Sequence, residues 1–135
     1  MPRLSKWMIR MAYVYLMLGF TVGGLLLSHK GVPFLPDLWR WLPVHIDLLF
    51  VGWVVQLVMG VAFWVLPRFW QPPRRPRAYF AVVAFFCLNV GVCLAILGVV
   101  LSSQLLLVAG RVGEFVAVVF FGLHAWRRIV SRDGV

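Results

Sequence analysis

Acidic side chains are scarce in this chain: four Asp and Glu stand against thirteen Lys and Arg in 135 residues, and all charged residues together make up 13%. So little charge, beside 63% hydrophobic residues and a mean hydropathy of +0.95, cannot be arranged as a soluble domain of this length. Cysteine is scarce too. Cys87 and Cys93 fall in one apolar run, where a helix separates them by about 120° of rotation and about 9 Å of rise. They cannot bridge within that helix and read as small apolar packing groups, which says nothing about compartment. There is no Ser, His, Asp triad, no phosphate-binding loop and no clustered metal motif, so nothing argues for a hydrolase or a nucleotide enzyme. Sequence repeats and low-complexity tracts are missing as well.

What the chain does contain is long apolar runs. Four of them, about 8–28, 44–67, 79–101 and 104–127, are each near the ~20 residues that cross a bilayer core as helix. In lipid each backbone group must be paired within its own helix, so the expectation is one all-α domain over 1–135, a bundle of four transmembrane helices. The basic start "MPRLSKW" resembles a secretory leader, but the run after it exceeds the ~7 to 15 residues of a signal core, and "LLLSHKG" offers no small-x-small cleavage site. It is read as a spanning helix.

The distribution of charge explains the net +9 without a nucleic-acid partner. If the helices alternate, ten of the thirteen cations lie on one side: Arg3, Lys6 and Arg10, then Arg68, Arg74, Arg75 and Arg77, then Arg127, Arg128 and Arg132. Lys30 and Arg40 lie on the other, and Arg111 lies inside the fourth run. The positive-inside rule then puts both termini in the cytoplasm, in a multi-pass protein of the inner (cytoplasmic) membrane. "RFWQPPRRPR" adds affinity for anionic lipid, and "QPPRRPR" is an extended polar stop between hairpins. On the external side, "PDLWRWL" suits a short interfacial turn of helix with Asp37 near its cap, and "LSSQ" a tight turn.

Polar residues inside the runs mark the candidate sites. His45, Leu49, Gly52, Gln56, Gly60, Phe63 and Pro67 recur at helical spacing on one face of the second run. Lipid would not select a stripe that mixes polar, small and aromatic residues, so it faces the protein, where Gly52 and Gly60 admit either another helix or a flat cofactor. Gln56, Asn89 and Glu114 fall near the middle of helices two, three and four. They are expected to meet in one hydrogen-bonded layer with Arg111, one turn before Glu114, as counter-charge. Such a layer serves as a clamp that sets helix register, or as a proton-handling carboxylate at Glu114. Gly19 and Gly23 form a small-xxx-small pair for close packing with another helix or subunit.

His45, the Trp and Gln of "GWVVQ", the Gly of "MGVAFW" and the closing "WVLPRF" resemble the second helix of the catalytic subunit of heme-copper oxidases and nitric oxide reductases. More weakly, "YLMLGFTVGGLLL" resembles the helix before it and "EFVAVVFFGLHAWRRI" the final helix of short oxidase-like membrane proteins. The resemblance implies that His45 is an axial ligand of a low-spin b-type heme near the external face, in a protein of electron transfer or diatomic gas sensing with an electron donor. Four helices and three histidines fall short of such a subunit, so this chain is not expected to reduce oxygen or nitric oxide alone.

His29, at the external end of helix one, is the second-ligand candidate within the chain, and Lys30 and Arg40 could pair with the propionates. His124 lies ~30 Å from His45, across the bilayer core, and cannot share one iron. A homo-oligomer could instead offer His45 from each copy, or leave the second position open. Other readings stay open. On composition alone His45 reads as an interfacial residue that snorkels to the headgroups. The alternative for the whole chain is a cofactor-free structural or accessory subunit of a respiratory membrane complex. His29, His45, Asp37 and Asp47 could also form an external copper or zinc site.

Overall fold

In the computed structural model, residues 1–66 and 78–130 are described, and the first helix begins directly after Pro2, whose extended backbone (φ −65°, ψ 151°) is its N-cap. Helix α1 (Arg3–Gly31) is longer at both ends than its apolar run, because Arg3, Lys6 and Lys30 are straight-chain residues that prolong a helix at little cost. Helix α2 (Leu38–Val65) opens with the 3₁₀ turn Leu38–Trp41, in which Asp37 takes the N-cap place at φ 58° without a side-chain bond. It then winds as α over Leu42–Asp47, as π over Leu48–Val55, and again as α over Gln56–Val65. Helices α3 (Ala78–Val100) and α4 (Gln104–Val130) complete the order. All four are long and apolar enough to cross a membrane. The basic connection "QPPRRPR", Pro67 and Arg132 lie outside the described residues.

Apolar side chains coat the outside of every helix, among them Phe20 on α1, Phe50 on α2, Phe86 on α3 and Phe115 on α4, each more than 60% exposed. Where the outside of a bundle is as apolar as its inside, close packing and hydrogen bonds hold the helices together. Small residues supply the first. On α3 and α4, Gly91, Gly98 and Gly110 bring backbone against backbone: a Cβ at Gly98 would stand 2.5 Å from Leu107 N, and one at Gly110 2.5 Å from Ala95 N. A tight turn joins this hairpin, with Ser102 at φ 53° while Ser103 N–H donates to Gly98 O at 2.9 Å. That is the usual closure of a helix end around a left-handed residue, with Ser in glycine's place.

The α1–α2 hairpin packs by side chains entering glycine notches from both directions. Gly19 and Gly23 on α1 receive Leu49 and His45 of α2, while Gly52 and Gly60 on α2 receive Tyr15 and Met8 of α1. The stripe read on the second run is this seam from His45 to Gly60, with α1 as its partner, whereas Phe63 meets α4. Its counterpart is a buried line on α1, Ser5, Met8, Ala12, Tyr15 and Gly19, spaced three and four apart. Between the hairpins, Met8, Met59, Ala84, Leu88 and Ala117 form a core to which each helix contributes.

A guanidinium group closes the exposed end of α3. Arg40, at the start of α2, donates to Val99 O (2.9 Å) and Val100 O (3.1 Å) at the C-terminus of α3, and to Ser102 Oγ (2.8 Å). A cation placed there satisfies carbonyls without helical partners and complements the helix dipole. Arg40→Met is expected to lower stability by about 0.3–1 kcal/mol. Hydrogen exchange resolved by residue should show faster exchange in the last turn of α3 and at Leu101 to Ser103, with α1 unchanged.

Candidate functional site

Two polar groups stand near the end of the bundle opposite the chain termini. The first is His45, half-buried in the α1–α2 seam, two residues after Pro43 in the α-helical part of α2. Its Nδ1 lies 2.8 Å from Gly19 O. A carbonyl only accepts, so Nδ1 carries the proton and Nε2 keeps its lone pair. Gly23 makes room for the ring, since a Cβ there would fall 2.5 Å from His45 Cε1.

The second group is an ion cluster joining α4 to α2. Arg111 grips Asp47 with both terminal nitrogens, Nη1 to Oδ1 at 2.7 Å and Nη2 to Oδ2 at 2.9 Å, and its Nη1 also donates to Glu114 Oε2 at 2.9 Å. The fork geometry of the guanidinium suits this bidentate hold. Side-chain exposure is 5% for Asp47 and 10% for Glu114 but 42% for Arg111, so the carboxylates are enclosed and the cation is not. Glu114 Oε1 is buried without a partner.

The expected midplane layer divides into separate contacts. Arg111 and Glu114 come together, but Gln56 and Asn89 do not join them. Gln56 is fully buried against α1 and donates from Nε2 to Met8 O at 3.2 Å. Asn89 accepts from Tyr15 Oη at 2.9 Å and donates to Phe85 O at 2.7 Å. Gln56 stands nine residues along α2 from Asp47, the partner of Arg111, and counting along a helix gives neither the offset between helices nor the direction of a side chain.

Asp47 is the residue whose role here the sequence reading missed. Its signal was present: two opposite charges inside apolar runs are expected to find each other. Ser5 was missed as well; its hydroxyl donates to Gly60 O at 2.7 Å and closes the α1–α2 seam near the chain termini. At that same end His124, 2% exposed, stacks on Phe63 with ring centres 5.3 Å apart. Arg128 donates to His124 Nε2 (3.3 Å), to Phe63 O (3.4 Å) and to Leu66 O, and so closes the C-terminus of α2.

The fit of a heme can be judged from these donors. His45 has the arrangement of a metal-binding imidazole, with one ring nitrogen tied to a backbone carbonyl and the other bearing a lone pair. His29 does not: its Nδ1 accepts Phe34 N–H at 3.2 Å, which places its proton on Nε2 and leaves neither lone pair to a metal. Arg40 is engaged at the end of α3, and the notch at Gly52 is filled by Tyr15, whereas Lys30 sits in the last turn of α1. A cleft of about 460 Å³ between α1 and α3 contains Tyr15 and Asn89, and one of about 470 Å³ runs along α2 from Leu57 to Leu66; neither is lined by His45. Of His29 and His45, His45 alone keeps a ring nitrogen in the arrangement that suits a metal. The set His29, His45, Asp37 and Asp47 does not converge either; among the described residues no three metal-ligating side chains form a group. Searches against protein-family models, curated proteins and solved structures found no match to this chain.

Proposed function

We propose that this chain is a multi-pass protein of the cytoplasmic membrane, with both termini cytoplasmic, that contributes His45 as one axial ligand of a b-type heme at its external rim. The observation that carries this reading is the Nδ1 contact to Gly19 O, which orients the ring and reserves Nε2. With His29 engaged by Phe34, the opposite axial position falls to a second protein surface, either another copy of this chain across a two-fold axis or a partner membrane subunit. Lys30 is the cation at that end left to meet a propionate. The bound iron would supply electron transfer or diatomic gas binding; the chain's part is to hold the imidazole, exclude water and set the nearby charge. The orientation rests on the ten cations grouped at the termini end and the connection between α2 and α3.

A second reading is favoured by the filled notches: Leu49, His45, Tyr15 and Met8 occupy the space beside Gly19, Gly23, Gly52 and Gly60. On that reading the chain is a cofactor-free accessory subunit, and His45 is a packing and hydrogen-bonding residue. Visible spectra of the protein purified in detergent from heme-sufficient cells separate the two. Heme ligation predicts a Soret band, shifted on reduction, that is lost in His45→Ala and weakened in Gly23→Ala, which displaces the ring without removing it. A colourless wild type, or a band unchanged in His45→Ala at native helicity, would overturn the heme reading.

A further inference from the structure

The cluster at Asp47, Arg111 and Glu114 is not needed to hold His45, and its charges do not balance. One guanidinium faces two enclosed carboxylates, and a group of this kind is neutral only with one proton on it. The hydrogen bonds indicate where that proton sits. Both oxygens of Asp47 accept from Arg111, as a carboxylate does, whereas Glu114 uses Oε2 alone and leaves Oε1 buried and unbonded. Glu114 as a residue is 8% exposed, so this is a nearly enclosed polar side chain with one unsatisfied oxygen.

We propose that the cluster is a proton-binding site, which takes one proton on Glu114 and exchanges it with the solution at the His45 end of the bundle. No electron moves in this step. A proton from hydronium or a buffer acid adds to Oε1, and it returns to water when it leaves. On its departure Arg111, already bonded to Oε2, is the charge that faces the new anion. Access follows the cation, since Arg111 is the member open to the outside and stands about 10 Å along α4 from Gln104. The groups packed on Glu114 are Asp47 from α2, Arg111 from its own helix and, from α3, the Gly91 backbone. Further titratable groups of the interhelical space are the Cys87 thiol and the Tyr15 hydroxyl, the latter held by Asn89. The inference does not rest on the heme reading and holds in a colourless protein.

Glu114 is the chain's single glutamate, which permits a test without any substitution. Protein labelled with ¹³C at the glutamate carboxyl is placed in lipid membranes and its infrared spectrum followed across pH and on transfer from H₂O to D₂O. The expected result is a protonated-carboxyl C=O band that carries the isotope shift, moves further in D₂O and fades as pH rises. Glu114→Gln removes the band. Asp47→Asn removes it as well, because one carboxylate beside one guanidinium is neutral without a proton. A glutamate that shows only carboxylate bands at every pH where the protein stays helical would overturn the proposal, as would a C=O band insensitive to D₂O.

Discussion

Arg111→Met should destabilise the folded bundle by about 3 kcal/mol, the low end of the range for breaking a buried ion pair, because Arg111 is partly open while Asp47 is not. The cost comes from what is left behind. Asp47, 5% exposed, would keep both carboxylate oxygens without a donor in a segment surrounded by apolar side chains. Reversible unfolding in mixed micelles should show the loss, and the double variant Asp47→Leu with Arg111→Met should regain most of it, since an apolar pair of similar volume leaves no charge stranded. A double variant as unstable as the single one would mean that the residues matter by shape and not by charge.

Gly110→Ala should cost at least about 1–3 kcal/mol, because overpacking here meets main chain on the facing helix and not a side chain that can turn away. The added Cβ would stand 2.5 Å from Ala95 N and 2.7 Å from Gly91 O, and only a wider α3–α4 separation relieves it. The contrast is Gly24→Ala and Gly122→Ala. Nothing lies within 4 Å of a Cβ at either place, and alanine's better helix propensity should add about 0.5–1 kcal/mol. Parallel thermal or detergent unfolding of the three variants tests the opposite signs. A harmless Gly110→Ala would mean that the hairpin is held further apart than the structure has it.

Hydropathy made the four helices legible because lipid-spanning runs have a length set by the bilayer, but it could not locate their polar ends, as α1 illustrates by starting at Arg3. The α2 stripe was visible from its spacing, yet spacing alone could not decide between a helix and a flat cofactor as its neighbour. The answer depends on Gly19 and Gly23 of α1 standing opposite Leu49 and His45, a register that neither run specifies by itself. The ion cluster was half legible: Arg111 and Glu114, three residues apart on one helix, pair by local geometry, whereas Asp47 needed the direction of its side chain around α2. Two residues from His45, Asp47 points about 200° around α2 from the seam with α1, and only the placement of α4 shows what stands on that side. Arg40 was read as a propionate partner, and its engagement with α3 depends on the three-dimensional meeting of the start of α2 with the end of α3.

The three arginine contacts have one helix in common. Arg40 fastens α2 to the far end of α3, Arg111 fastens α4 to Asp47, and Arg128 fastens α4 to the last carbonyls of α2. Each of these three contacts joins one hairpin to the other, whereas within a hairpin close approach at glycines brings the helices together. Such bonds are strong where water is excluded and weaken where it enters. Water reaching these bonds would therefore part the molecule along the plane between its halves, and each pair of rods would come away still zipped.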